Sequence, residues 1–248
     1  MNINVLQLDA VDSTNSEAAR QAKLGAPEGL CVIAKEQTAG RGRLGRKWHS
    51  QKGSGLYFSI VLRPQLAVEE MPLITLMAGV AVFDMLCEFG LKPDIKWVND
   101  IHIDGRKIAG ILAETVESSQ GTAVIVGIGI NLTSDGISPD IAPAATSIKN
   151  EAGVAVSSAD AAEALTKYLT YFYGVLSENG GPAATAAEWT RRSSYASGKN
   201  VRVMLEDETI YGITAGIMPN GALRVETASG IRVIQAGDVE QLRQYSQS

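Results

Sequence analysis

Two textures of apolar and polar positions divide the chain. In the first, short apolar runs alternate with longer stretches of helical spacing. Val5 to Leu8 has strand length. The polar stretch Asp9 to Glu17 leads into a helix over Ala18 to Leu24. Thr14 with Glu17 three residues on is a capping-box pattern, and Gly25 is a C-terminal stop. Leu30 to Ala34 and Leu56 to Leu62 are continuous apolar runs, the pattern of buried strands. Pro72 opens a long apolar helix that reaches Phe89 and stops at Gly90. Ile95 to Trp97 begins another strand, and Ile108 to Ala113 and Thr122 to Leu132 are two more. Thr133 to Val156, carrying Asp135-Gly136, Pro139 and Pro143, reads as loop. Ala159 to Glu178 is amphipathic, with Leu165, Leu169, Phe172 and Leu176 as core positions. Ala183 to Arg191 is the last helix.

After Gly198 the period shortens to two. Runs at 201–205, 210–217, 222–226 and 231–234 are separated by turns at Glu206-Asp207, Pro219-Asn220-Gly221 and Ser229-Gly230. Short strands at that spacing predict a small β-barrel. The chain therefore reads as α+β: a mixed sheet packed with helices over residues 1–194, then a barrel over residues 195–248. Gly127 and Gly129, inside a strand, are residues that often mark close approach of a ligand or another backbone.

One hairpin can be read in detail. Asp104-Gly105 is a two-residue turn signal between alternating residues. That turn opposes Ile103 to Arg106, His102 to Lys107, Ile101 to Ile108 and Asp100 to Ala109. Opposed residues share a face and side chains alternate, so Asp100, His102 and Lys107 project together, away from Ile101, Ile103 and Ile108. A bulge would change this register. Lys107 is then either an ordinary solvated hairpin lysine or a charged group beside Asp100 in a site.

Candidate chemistry concentrates in Glu36 to Ser50, between two predicted strands. Gly40, Gly42 and Gly45 interleave with Arg41, Arg43 and Arg46, and Trp48 closes the run. Glycine lets backbone N–H groups approach a ligand closely. Arginine presents a planar fork of donors matched to carboxylate and phosphate. The like charges and free glycines imply a loop that orders around an anion. Gly40-x-Gly42-x-x-Gly45 has the spacing of a dinucleotide fingerprint, but no helix follows it. Arg46-Lys47 stands where a P-loop needs Lys-Ser or Lys-Thr, so that reading fails too.

Three motifs carry a family resemblance. Gln37-x-x-Gly40-Arg41-Gly42-Arg43-x-Gly45-Arg46-x-Trp48 resembles the signature loop of biotin protein ligases. Lys96-Trp97-Val98-Asn99-Asp100, with Lys107-x-x-Gly110-Ile111-Leu112, resembles their second signature. Gly127-Ile128-Gly129-Ile130-Asn131 resembles the third. Order and gaps agree over essentially the whole chain; Val98 stands where the family usually has proline. The resemblance implies a catalytic domain of the class II aminoacyl-tRNA synthetase and biotin ligase type, followed by an SH3-like barrel. It implies activation of biotin by ATP and transfer to a lysine of a biotin carboxyl carrier domain of a biotin-dependent carboxylase. Ser13, Thr14, Asn15, Gln37, Gly40, Arg41, Gly42, Arg43, Lys107 and Gly110 are then expected at biotin. Arg41, Arg43, Arg46, Trp48, Asn131 and Lys107 are expected at the adenylate, with Lys107 and Arg43 catalytic and Mg2+ near Asp100 or Asn99. Homodimers occur in that family. Ser13, Thr14 and Asn15 can equally be read as helix caps, and Asn131 as a polar strand end. A lipoate or octanoate ligase or transferase of the same fold is the alternative.

Composition narrows the partners. A net charge of −5 over 248 residues makes the arginine loop a local positive spot on an acidic molecule, suited to a small anion rather than nucleic acid. Only twelve residues precede Ser13, too few for a DNA-binding helical domain. Cys31 and Cys87 sit in apolar segments and read as two buried thiols in a reducing compartment. Two histidines and two cysteines give no zinc spacing. No signal peptide or membrane-length apolar run is apparent, so a soluble, cytoplasmic protein is expected.

Overall fold

The computed structural model describes residues 1–235 and 237–241; residues 242–248 of the expected second domain lie outside the described ones. Seven strands form the main sheet: β1 (Asn4–Leu8), β2 (Leu30–Ala34), β3 (Gly55–Leu62), β4 (Asp94–Lys96), β5 (Asp100–Ile103), β6 (Arg106–Ser118) and β7 (Gly121–Asn131). Their order is β1-β2-β3-β7-β6-β5-β4. Only β1 and β2 pair in parallel; the other neighbours are antiparallel. β3 is buried at every position, because both faces of the sheet are covered, and its sequence is accordingly apolar without alternation.

Helix α1 (Thr14–Lys23) lies on one face, where Ala18 and Ala22 pack on Val32, Val61, Ala123 and Ile125. The other face carries α2 (Leu73–Glu88), α4 (Ser158–Ser177) and α5 (Gly181–Arg192). The stretch Val68–Glu88 does have membrane-span length and apolarity, contrary to the sequence reading; 61% of its apolar 18-residue window is buried within the fold, as befits a core helix. The segment read as loop after Thr133 also contains a short helix, α3 (Ile148–Ala152), capped by Ser147 and stopped by Gly153 at φ 72°. The capping box at α1 is corrected as well. Ser13, not Thr14, is the N-cap, and the Glu17 carboxylate bonds Arg20 and Gln21. Gly25 ends the helix at φ 91°, as expected. Cys31 is buried and free, but Cys87 is exposed on α2.

The chain then forms β8 (Ser197–Met204), β9 (Thr209–Ile217), β10 (Leu223–Thr227), β11 (Gly230–Ile234) and β12 (Asp238–Gln241). They make one antiparallel sheet, ordered β11-β10-β9-β8-β12, with bulges in the β8–β9 and β9–β10 pairings. No hydrogen bonds close β11 onto β12 among the described residues, so the expected barrel unit is seen as one five-stranded antiparallel sheet. Its inward residues Val201, Val203, Leu223 and Val225 belong to the same apolar core as α2 and the main sheet. The Trp97 indole donates to the Gly221 carbonyl at 3.0 Å across the seam.

Candidate active site

The site lies on the α1 face of the sheet, at the N-terminus of α1, beneath the loop of residues 36–50. The loop closes on itself as a small hairpin: Gly42 N donates to Arg46 O (2.7 Å), Trp48 N to Gly40 O (2.9 Å), and Arg41 bridges Lys47. Its tip is a tight turn with Leu44 at φ 55° and Gly45 at φ 71°. Gly40 is tightly enclosed, since a Cβ would overlap the Trp48 carbonyl.

The floor is strand backbone. A Cβ at Gly129 would overlap the Trp48 ring, one at Gly110 would lie 3.0 Å from that ring, and one at Gly127 would overlap the Asn15 amide. With no side chains at these glycines, Trp48 lies down on β6 and β7 and Asn15 approaches β7. Trp48 Nε1 is buried with no hydrogen-bond partner.

At one end, Ser13, Thr14 and Asn15 are each buried. Thr14 N donates to Gln37 Oε1 (2.8 Å), and Gln37 Nε2 donates to Ser50 Oγ (2.8 Å). Ser59 Oγ lies 2.8 Å from Thr14 Oγ1 and 2.7 Å from Asn15 Oδ1. Asn15 Nδ2 donates to Glu114 Oε2 at 2.8 Å. Thr14 and Asn15 thus build the wall through internal bonds, while Ser13 Oγ makes no capping bond.

At the other end stands the hairpin lysine. The turn falls at Asp104-Gly105, both at positive φ, and Ile103↔Arg106 and His102↔Lys107 pair as expected. Beyond them a bulge shifts the register, so Ile101 faces Ala109 and Asp100 faces Gly110. The cluster survives this correction. Lys107 Nζ donates to Asp100 Oδ1 at 2.6 Å and sits 5.5 Å from the Trp48 ring centre. Burial alone would raise the Asp100 pKa; His102 and Lys107 outweigh it and hold the carboxyl well below the usual range.

The three arginines, expected to act together, differ. Arg43 is half-buried and donates to Asn99 Oδ1 at 3.1 Å. Burial works against its charge and Asp100 favours it. Arg41 makes a two-pronged pair with Glu114, at 2.8 and 2.7 Å. Arg46 reaches the second sheet and pairs with Asp238. One cavity of about 120 Å3 brings together Ser13, Thr14, Asn15, Gln37, Arg41, Gly42, Arg43, Arg46, Trp48, Asp100, Lys107 and Gly110. Gly40 does not line this cavity; it borders a second hollow formed by the loop. Asn131 lies across Trp48 in a smaller hollow with Lys107, Ile137 and Ile141, its amide donating to Thr146 O at 3.0 Å. Glu114, Ser59 and Asp238 were not picked out from sequence; Asn99 was, within the second signature, but not as the partner of Arg43. Ser59 sits inside an apolar run and Glu114 just past the end of one, with no local signal at either, and nothing local marks Asp238 as reaching the loop.

Similarity to known proteins agrees with this geometry. Residues 8–131 match the biotin/lipoate A/B protein ligase family, and residues 196–241 match the biotin protein ligase C terminal domain. The bifunctional ligase/repressor BirA of Bacillus spizizenii is 37% identical over 97% of this chain and 74% of its own.

The chain belongs to the biotin protein ligase family.

The biotin–[acetyl-CoA-carboxylase] ligase of Paracoccus denitrificans is 34% identical over 94% of this ligase and 98% of its own length. A biotin protein ligase from Aquifex aeolicus, solved with biotin and ATP, superposes with a TM-score of 0.84 at 29% identity, covering 97% of this chain and 99% of that one.

Proposed function

We propose that this ligase joins biotin to a lysine of a carboxylase carrier domain in two steps within the cavity between Ser13 and Lys107. In the first, a biotin carboxylate oxygen bonds the α-phosphorus of ATP as the bond to the β-phosphate oxygen breaks, giving biotinyl-AMP and pyrophosphate. In the second, the carrier amine bonds the acyl carbon, AMP departs and the amine loses a proton. The observation that carries this reading is the convergence of the Lys107 ammonium and the Arg43 guanidinium on one cavity. The first step brings one anion onto another, and positive groups fixed in advance lower that barrier. Lys107 is the group for the carboxylate and α-phosphate, and Arg43 for the phosphates. Ser13 and the α1 N-terminus suit the ureido ring, with Thr14, Asn15 and Gln37 shaping its wall. Gly110 leaves room beside Lys107. Trp48 covers the bound pair against water, and Asn131 is the polar group assigned to the base.

Arg41 and Arg46 contribute by pinning the loop to Glu114 and Asp238. Among the described residues no three His, Cys, Asp or Glu side chains cluster as a metal cage. Mg2+ commonly comes with phosphates and one or two carboxylates, and Asp100 with Asn99 fits that smaller demand. Such an ion would neutralise phosphate charge. We place the boundary of the catalytic unit at residue 194.

The test is biotin-dependent exchange of pyrophosphate into ATP, followed by transfer of labelled biotin to a carrier domain. Both are expected with biotin. Exchange supported by octanoate and not by biotin would favour the lipoate branch, and exchange with neither would sink the proposal.

A further inference from the structure

His102 is not needed by the chemistry above, yet its position is specific. It sits on β5 opposite Lys107 and two residues from Asp100. Its ring is largely enclosed, with a side-chain exposure of 12%, and Nε2 is buried with no hydrogen-bond partner. That atom lies 4.0 Å from Asp100 Oδ2, while Asp100 Oδ1 takes the Lys107 ammonium at 2.6 Å. A buried ring nitrogen without a partner is costly. Closing the gap to a normal hydrogen bond of about 2.9 Å takes a shift of roughly 1 Å, within reach of a carboxylate rotation. Opposite Asp100 on β4 stands Lys96, so the carboxylate is ringed by positive or donating groups.

We infer that His102 is the positioning residue that receives Asp100 when Lys107 turns to an anionic substrate. In the arrangement described, Lys107 is held by Asp100. A carboxylate or phosphate arriving at Nζ competes for the same ammonium. Asp100 Oδ1 is then open to the phosphate-bound ion proposed above, and Oδ2 needs its own donor: His102 Nε2–H, 4.0 Å away, is the nearest one without a partner. The exchange frees Lys107 without leaving a buried carboxylate unpaired, and it fixes where the ammonium points. The bulge beyond His102 supports the arrangement, because it sets Asp100 against Gly110, so that the position directly across from it on β6 carries no side chain. This inference rests on the biotin ligase reading.

The test compares the parent with His102→Phe and His102→Gln in biotin-dependent ATP–pyrophosphate exchange, with thermal midpoints measured alongside. Phenylalanine keeps the ring and removes the donor; glutamine supplies an N–H near the same place. His102→Phe is expected to lower kcat about tenfold or more, as loss of a bond to a charged group does, while the KM for biotin changes less than threefold. His102→Gln is expected to recover most of the rate. An active parent with His102→Phe equally active, or with both variants equally impaired, overturns the role of His102 and leaves the ligase reading standing. A parent without exchange overturns that reading and this inference together.

Discussion

At the scale of single residues, three arginines of one loop have three different surroundings, and charge alone does not separate them. Arg43 turns inward onto Asn99, whereas Arg41 and Arg46 are each matched to a carboxylate. Lys107 is the group on which the chemistry turns. Lys107→Ala is expected to reduce biotinyl-AMP formation by at least about 10²–10³-fold, the scale of losing one preorganised donor, with circular dichroism unchanged; near-parental exchange would remove its assigned role. The same ion pair has a pH signature. Asp100 is depressed in the folded state, so its ionised form adds stability above its unfolded pKa, near 3.9, and that contribution fades as pH falls from there toward the lower folded value. Lys107→Met should be less stable than the parent by about 1–3 kcal/mol near neutrality. That gap should narrow below about pH 4, as measured by urea unfolding. A gap independent of pH would mean the pair does not hold Asp100 down. The hairpin lysine and its aspartate were legible in sequence because turn type and alternation are local. Glu114 was not, because its partners Arg41 and Asn15 are 73 and 99 residues away.

At the scale of elements, the strands and long helices follow from pattern, while the details that shape the site do not. The apolar runs at β2, β3 and β7 and the Gly90 stop are where periodicity puts them. The bulge in β6 has no sequence mark, since the Asp-Gly turn fixes only the first two pairs. Gly127 and Gly129 were flagged as points of close approach, but what approaches could be found only in three dimensions: an amide from α1 and an indole from the loop. Gly129→Ala is therefore expected to displace Trp48 while β7 still pairs on both sides. The KM for ATP should rise severalfold, with a stability loss of about 1–3 kcal/mol from overpacking. Intrinsic fluorescence should report a more exposed indole. Unchanged emission and unchanged KM would separate Trp48 from nucleotide binding.

Across the whole molecule, the change of texture near residue 195 marks a change of architecture but not of core. Val201, Val203, Ile210, Leu223, Val225 and Ile234 share one apolar cluster with α2 and the main sheet. Gly221 comes so close to Leu73 and Leu76 that a Cβ there would crowd both side chains, and its carbonyl takes the Trp97 indole. Arg46 carries the connection from the second sheet to the active-site loop through Asp238. Alternation within β8–β11 revealed strands; it could not reveal that their inner face closes over α2. An apolar face of that kind cannot be left to water without loss, since buried area contributes about 25 cal/mol per Å2. The full chain should therefore melt in a single calorimetric transition. A chain ending at residue 194 should expose Leu73, Leu76 and Trp97, bind a hydrophobic dye and lack a sharp melt, even though it retains every residue from Ser13 to Asn131. A cooperative transition in that shortened chain, at the parent's midpoint, would show instead that the second sheet is a separable attachment.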